Sequence, residues 1–251
     1  MFDSYAHKYP NLKMRREDGI LEGTLHTNNG PLIFNGFVHE TIGNAFRDIG
    51  DDRENHVVIL TGTGNEFCAQ ITPEGFDFFT PLGFDKIFRE GTKTLENILD
   101  IQVPIIAAVN GAFTVHTEYA LLCDVVLASE DAYFQDMPHP AFGITPGDGV
   151  HILWPEVIGE LRGRYFLLTG EKLIATKAKE YGAVNEILTR SDVLPRAWEI
   201  ARQMKKQNPL TLRYARMALS QRFRRRLQEG LSYGLALEGI SAAQVARLMT
   251  K

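Results

Sequence analysis

Short apolar runs alternate with amphipathic stretches through the first two thirds of the chain. Two of the stretches place apolar side chains at helical spacing, residues 37–52 and 84–99. The runs rich in β-branched residues are typical of buried strands and lie at residues 56–64, 103–113 and 123–134. An alternating segment at residues 20–27 indicates an earlier strand. Because strands connected through helices run parallel, the pattern predicts an α/β fold.

The pattern changes after about Leu161. From there the sequence predicts helices, with only a short strand near residues 184–188. No internal repeat or low-complexity linker interrupts the chain. We therefore predict an α/β core over residues 1–190. A helical region over residues 191–251 is expected to pack on this core or on a neighbouring subunit.

Composition and charge argue against nucleic acid and membranes as partners. The chain has 251 residues, of which 44% are hydrophobic and 23% are charged, as in ordinary globular proteins. Its net charge of −4 offers no attraction to phosphates, and the one basic cluster, RFRRR at 222–226, falls in a predicted helix. No apolar run approaches the ~20 residues of a membrane helix, and no signal peptide is evident at the N-terminus. We expect a cytoplasmic protein.

The cysteines give no sign of a disulfide framework or a zinc site. There are two, Cys68 and Cys123, and they do not form a CxxC pair. This usage is typical of free thiols in a reducing compartment.

Residues 133–155, YFQDMPHPAFGITPGDGVHILWP, hold the first candidate for chemistry. His139 and Asp148 are separated by nine positions, and the glycines and prolines between them allow the chain to turn back. An imidazole with a pKa near ~6.5 is well matched to deprotonating water, and a carboxylate can accept its other ring N–H. Two structural interpretations stay open: a loop histidine that caps backbone groups, and a turn aspartate or helix N-cap.

Longer segments of the chain resemble a known family. In order they are VVILTGTGNEFCAQ, VPIIAAVNGAF, CDVVLAS, GITPGDG and LLTGEKLIATKAKEYGAVNEIL, and over nearly the whole chain they resemble the crotonase (enoyl-CoA hydratase/isomerase) superfamily. The resemblance implies a spiral of ββα turns with a helical C-terminal region. It also implies assembly as a homotrimer or a dimer of trimers, and an oxyanion hole of two backbone N–H groups that stabilises an enolate.

The sequence departs from the family pattern where that chemistry is expected. A glutamine replaces a common glycine in the first loop, so the first N–H donor would be that of Ile71. No glycine follows Gly111, which leaves the second donor open between Val115 and His116. His139 stands where hydratases have their second catalytic glutamate. Addition of water to an enoyl thioester is therefore not expected.

One branch of the superfamily shares these departures. The motifs FQDMPH, PGDGVH and RGRYFLLTG resemble the β-diketone hydrolases, such as 6-oxocamphor hydrolase. The resemblance implies retro-Claisen hydrolysis of a small, cyclic β-diketone, with no cofactor and no metal. It assigns the base to His139, its carboxylate partner to Asp148, a second catalytic histidine to His116 and a further carboxylate to Glu238. From the chemistry, His116 is the candidate donor to the enolate oxygen.

The pocket residues follow from the same resemblance. Phe34 stands where a tryptophan lines the pocket of 6-oxocamphor hydrolase, and with it we expect Ile71, Phe79 and Phe142 to contact the substrate. So many aromatic residues are equally expected in a packed core. His116 also suits a satisfied polar position at a helix start, and Glu238 suits a solvated helix face.

Other residues and functions stay open at this point. His151, three residues after Asp148, is interpreted as structural, and Glu118 is the nearest carboxylate to the first catalytic glutamate of the family. The leading alternative function is a coenzyme A thioester hydratase or hydrolase. A nucleic-acid-binding protein on the same scaffold is a third, which the negative net charge opposes.

Overall fold

The computed structural model describes residues 1–249, and residues 250–251 of the predicted helical region lie outside the described residues. After a short 3-10 helix at Phe2–Ser4, the strands are β1 Leu12–Glu17, β2 Ile20–Leu25, β3 Ile33–Phe34, β4 Val57–Thr61, β5 Glu66–Cys68, β6 Gln70–Ile71, β7 Ile105–Val109, β8 Ala112–Phe113, β9 Val125–Ser129, β10 Tyr133–Phe134, β11 Leu173–Ile174 and β12 Glu186–Leu188. The α-helices are α1 Gly36–Asp51, α2 Pro81–Asp100, α3 Glu118–Leu121, α4 Pro138–Phe142, α5 Val150–Ile158, α6 Glu160–Thr169, α7 Ala175–Glu180, α8 Arg190–Lys205 and α9 Pro209–Met249.

The predicted parallel sheet is confirmed. Six strands pair in the order β1-β2-β4-β7-β9-β12, and every pair except β1–β2 is parallel. A second sheet has the order β11-β10-β8-β5. Two of the three predicted buried strands divide between the sheets, as β7 and β8 and as β9 and β10, whereas the first contains β4 and β5 follows its predicted end. The next helix follows each pair, so the chain repeats a ββα turn and confirms the expected spiral.

The break between β7 and β8 depends on an asparagine and a glycine. The Asn110 amide accepts from the N–H of Gly62 at 3.0 Å and donates to the carbonyls of Gly64 at 3.0 Å and Glu66 at 3.1 Å. A Cβ on Gly111 would overlap the backbone of Asn65. The loop between β4 and β5 is therefore bound to the Asn110–Gly111 turn between β7 and β8. This contact directs the chain after β8 to the same edge of the second sheet as the chain after β5.

The helical C-terminal region packs on the core. Helix α8 covers one face of the large sheet through Val193, Ala197 and Ala201, which pack against sheet residues such as Ile59 and Ile106. Helix α9, predicted only as helical sequence, is a single helix of 41 residues that runs across α2 and α5. Arg216 on α9 is 2% exposed, and its guanidinium donates hydrogen bonds to Asp124 and to the carbonyl of Leu99. A buried arginine with these partners fixes α9 to the core.

The basic cluster on α9 is largely neutralised. Arg222 and Arg226 pair with Glu156, and Arg224 pairs with Asp100 at 2.7 Å. Among the described residues, no helix is both long and apolar enough to span a bilayer.

Candidate active site

A cavity opens where α1, α2, the loops after β6 and β8, α4, α5 and α9 meet. Its wall is mostly apolar, formed by Ile71, Phe76, Phe78, Ile87, Val115, Phe142, Ile144, Val150 and Leu235. Its polar side chains are His39, His116, Asp136, His139, Asp148 and Glu238. All four predicted catalytic residues thus lie around one cavity, although the chain separates the first from the last by more than a hundred positions.

His139 is held by Asp136 rather than by Asp148. Its Nδ1 lies 2.6 Å from Oδ1 of Asp136, three residues earlier, and both side chains are buried. Asp148 Oδ1 lies 3.7 Å from the opposite ring nitrogen, Nε2. The expectation that Asp148 fixes the His139 tautomer is therefore corrected: Asp136 does so, because it lies just before α4 and His139 lies in the first turn of that helix. Asp148 instead faces the reactive nitrogen.

The two carboxylates control the charge of His139. Burial alone would lower the pKa of this histidine, but Asp148 and Asp136 outweigh burial and raise the pKa to about 10. The imidazolium in turn acts on Asp148. Burial would raise the pKa of Asp148, but His139 and His116 hold it below its usual value. At neutral pH the structure therefore favours a charged His139 and an ionised Asp148.

His116 occupies the turn where the family pattern has glycine. Its φ is +55°, so the left-handed turn is kept without the glycine, at a cost of roughly 1–3 kcal/mol. Its ring stacks on Tyr119 with centroids 5.0 Å apart, and its Nδ1 lies 2.8 Å from Oε1 of Glu118 and 3.5 Å from Oδ2 of Asp148. Burial lowers the pKa of His116. This histidine is therefore a neutral hydrogen-bonding group.

The two candidates for the second backbone oxyanion donor, the N–H groups of Val115 and His116, differ in their hydrogen bonds. The N–H of Val115 donates to the carbonyl of Cys68 at 3.1 Å, as does that of Thr114 at 2.9 Å. Val115 is therefore committed to the fold. Of the two candidates for the second oxyanion donor, this leaves His116.

Asp148 lies one residue before the N-cap of the helix that follows it. The N-cap of α5 is Gly149, which has no side chain to donate or accept. Asp148 Oδ1 has no hydrogen-bond partner, while both oxygens approach a histidine of the cavity. A hydrogen bond from the N–H of Val150, the first residue of α5, also lowers the pKa of Asp148, so the histidine contacts add to a turn or capping role and do not exclude it.

Glu238 reaches the cavity because α9 comes very close to the loop before Asp148. The backbones of Gly147 and Gly234 touch, and the N–H of Thr145 donates to Oγ of Ser241 at 2.8 Å. Glu238, one helical turn after Gly234, is 4% exposed. Burial, and then the charge of Asp148, raises the pKa of Glu238 to about 8. Glu238 is therefore a buried acid at the cavity, not a residue on a solvated face.

Substituting Gly234 with alanine tests this close approach. A Cβ there would lie 2.5 Å from the carbonyl oxygen of Gly147 and would overlap the ring of His151. We expect Gly234→Ala to lower the free energy of unfolding by about 1–3 kcal/mol, although alanine favours a helix by up to ~1 kcal/mol. Gly230→Ala is the matched control, because its Cβ would meet only the flexible end of Ile152 at 3.0 Å. Equal unfolding curves for the two variants would contradict the prediction.

Two polar residues of the cavity were missed from the sequence. His39 on α1 is 4% exposed, and its Nδ1 lies 2.9 Å from Oε2 of Glu90. Burial lowers the pKa of His39. The signal was a histidine on the apolar face of a helix, beside Val38 and Ile42. For Asp136 the signal was its spacing of three from His139.

Two of the expected substrate contacts lie elsewhere. Phe34 is 1% exposed and supports the ring of His116 from behind, with centroids 4.5 Å apart. Phe79 is 45% exposed, because the extended segment before α2 turns Phe76 and Phe78 inward and Phe79 outward. Neither phenylalanine is part of the cavity wall. Ile71 and Phe142 do line the cavity, as expected.

His151 also lies outside the cavity wall, where it contacts the carbonyl of Gly230 at 3.4 Å.

Within the described part of the chain, one group has metal-ligand spacing: His116, Glu118 and Asp148, whose ligand atoms lie within 4.8 Å of one another. The Nδ1 of His116 is already in its hydrogen bond with Glu118.

Comparison with known proteins places the chain in a family. The model of the enoyl-CoA hydratase/isomerase family matches residues 16–242. Carnitinyl-CoA dehydratase of Salmonella typhimurium is 30% identical over 214 residues, which cover 80% of this chain and 77% of that protein.

Two solved structures extend the comparison. An enoyl-CoA hydratase from Bacillus anthracis matches with a TM-score of 0.76 at 26% identity, covering 96% of this chain and 92% of that chain. A β-diketone hydrolase from the cyanobacterium Anabaena sp. PCC 7120, bound to (S)-3-oxocyclohexyl acetic acid, matches with a TM-score of 0.95 at 53% identity, covering 96% and 97%. The chain belongs to the enoyl-CoA hydratase/isomerase family, the crotonase superfamily.

Proposed function

We propose that the protein is a cofactor-independent hydrolase that cleaves the carbon–carbon bond between the carbonyls of a small, cyclic β-diketone. One observation carries the proposal. Three histidines meet at an apolar cavity, and each has its Nδ1 held by a carboxyl group: Glu90 at 2.9 Å, Glu118 at 2.8 Å and Asp136 at 2.6 Å. Each ring therefore offers Nε2 to the cavity. The similarity to the Anabaena β-diketone hydrolase supports the same assignment.

The first step needs a base and a polarised carbonyl. Neutral His139 takes a proton from water through Nε2, and the oxygen of that water bonds to one carbonyl carbon. Asp148, 3.7 Å from Nε2, stabilises the imidazolium that forms. Negative charge moves to the attacked oxygen. Glu238, a buried acid of the cavity wall whose pKa is raised to about 8, is the donor that the structure offers besides His116.

The second step breaks the carbon–carbon bond. The bonding electrons pass to the carbon between the two carbonyls, and the charge spreads onto the second carbonyl oxygen as an enolate. His116 donates to that oxygen through Nε2. The imidazolium of His139 then returns its proton to the carbon, which gives a keto acid and restores the base. Water is the only reactant added, so atoms and charge balance.

The cavity chemistry favours this reaction over thioester chemistry. A carboxylate acts in the hydratase reaction at the position held here by His139. Membership of the family, with carnitinyl-CoA dehydratase among its similar members, keeps a coenzyme A thioester hydratase or hydrolase as the second candidate.

A labelled-water assay separates the two candidates. The purified protein, with no cofactor added, is incubated in H₂¹⁸O with a bicyclic 1,3-diketone, with cyclohexane-1,3-dione and, separately, with an enoyl thioester of coenzyme A. We expect loss of a diketone and a keto acid that carries one ¹⁸O in its carboxylate. Turnover or tight binding of the thioester, with every diketone unchanged, would overturn the proposal in favour of the second candidate.

A further inference from the structure

Glu118 is a carboxyl group sealed behind His116. It is 0% exposed and begins the short helix α3. Its Oε1 lies 2.8 Å from Nδ1 of His116, and its Oε2 has no hydrogen-bond partner. Glu118 is absent from the cavity wall, so it reaches the substrate only through His116.

We propose that Glu118 is a positioning residue, a neutral carboxylic acid whose O–H donates to Nδ1 of His116 and so keeps the ring proton on Nε2. The inference rests on the proposed function, in which His116 donates to the enolate oxygen. An imidazole with its proton on Nδ1 would instead turn a lone pair toward that oxygen and repel it.

The surroundings of Glu118 favour the neutral acid. An ionised carboxyl group here would leave one oxygen buried and unpaired, and Asp148 Oδ2, a like charge, lies 3.5 Å from the same Nδ1. Burial, and then the charge of Asp148, raises the pKa of Glu118, while burial lowers that of His116. The proton between the two groups is therefore bonded to the glutamic acid, whose O–H donates a hydrogen bond to Nδ1 of His116.

The ring of His116 has little freedom to turn over. Tyr119 stacks on it with an interplanar angle of 8°, and Phe34 packs on it with centroids 4.5 Å apart. The following residue, Thr117, accepts a hydrogen bond from Nε1 of Trp154 at 2.9 Å. Packing thus sets the plane of the ring, and Glu118 is left to set the position of its proton.

Two substitutions test the role by activity. Glu118→Gln keeps a donor, because its amide N–H can bond to Nδ1, and we expect kcat within about threefold of the unmodified protein. Glu118→Leu removes the donor, and we expect kcat to fall about 10–100-fold. KM should change less, because charge on the enolate oxygen develops only in the transition state. A loss with glutamine as large as that with leucine would overturn the proposal.

A double-mutant cycle separates positioning from structure. In a His116→Ala background, Glu118→Leu should cost less than about twofold in kcat, because there is no longer a ring proton to place. A cost as large as in the His116 protein would make Glu118 a purely structural residue.

The proton can also be located without any substrate. In ¹⁵N-histidine-labelled protein, the NMR signals of His116 should show Nε2 protonated and Nδ1 bare, both with Glu118 and with glutamine in its place. A protonated Nδ1 would overturn the proposal. Because this measurement needs no turnover, it tests the role of Glu118 even if no diketone is hydrolysed.

Discussion

Replacing His139 with glutamine is expected to reduce diketone hydrolysis by roughly 10²–10⁴-fold in kcat, the usual contribution of a general base. Glutamine can still donate to Asp136 from its amide, so the buried carboxylate keeps a partner and the fold is retained. Alanine would remove the hydrogen-bond donor to buried Asp136 as well as the positive charge, and would confuse loss of the base with loss of the fold. The measurement is steady-state kinetics with a bicyclic 1,3-diketone, beside thermal unfolding.

His151→Gln is the matched control for this experiment. His151 lies in the same segment of the chain but outside the cavity wall, with its Nε2 near the carbonyl of Gly230. Its substitution should leave kcat within severalfold. Equal losses in the two variants, or full activity of the His139→Gln variant, would exclude His139 as the base.

The second large effect concerns pH. Only neutral His139 accepts a proton from water, and the carboxylates raise its pKa to about 10. We therefore expect kcat/KM of the unmodified protein to rise with pH well above neutrality, toward a plateau near pH 10. The Asp148→Asn variant loses the negative charge that faces Nε2 of His139. The pKa of His139 should therefore fall, and the rise in kcat/KM should move to lower pH. The plateau should fall, roughly 10–10²-fold, because the base is weaker and the imidazolium loses its stabilisation.

The carboxylates beside His139 also predict how the stability of the protein changes with pH. A histidine whose pKa is raised in the folded state adds stability that is complete below its unfolded pKa of ~6.5 and is lost as pH rises through the folded value. The Asp148→Asn variant should therefore show a weaker loss of stability between pH 7 and 10. Glu96→Gln removes one negative charge from an exposed position on α2 and serves as the control for both measurements. A pH profile for Asp148→Asn identical to that of Glu96→Gln would refute the role of Asp148.

Much of the core was predictable, because its signals are local. The β-branched runs marked the parallel strands, and glycines marked two of the three passages into the second sheet, after β4 and after β7. The first strand was missed. Residues 12–17, LKMRRE, alternate charge with apolar side chains, and the Asp18–Gly19 turn with φ of 52° and 77° joins them to β2. That dipeptide is a strong hairpin signal.

The active site was predictable by position but not by pairing. His116, His139, Asp148 and Glu238 came from the resemblance to the β-diketone hydrolases, and all four lie at the cavity. Which carboxyl group meets which ring nitrogen depends on short-range geometry that sequence spacing does not determine. Asp136 therefore took the place expected for Asp148. The remaining histidine, on α1, was missed because that helix carries no motif, and only tertiary packing brings its ring centroid within 5.9 Å of that of His116.

The contact between Gly147 and Gly234 also bears on the order in which the walls of the cavity are assembled. The three histidines and most strands of the two sheets belong to the first 140 residues, but the last wall of the cavity comes from a helix about ninety positions later, joined by bonds such as that from Thr145 to Ser241. During synthesis the N-terminal residues leave the ribosome before the C-terminal ones, so α9 is the last element that becomes available to dock. We therefore expect the cavity lined by His39, His116 and His139 to stay open on one side until α9 has docked on the core.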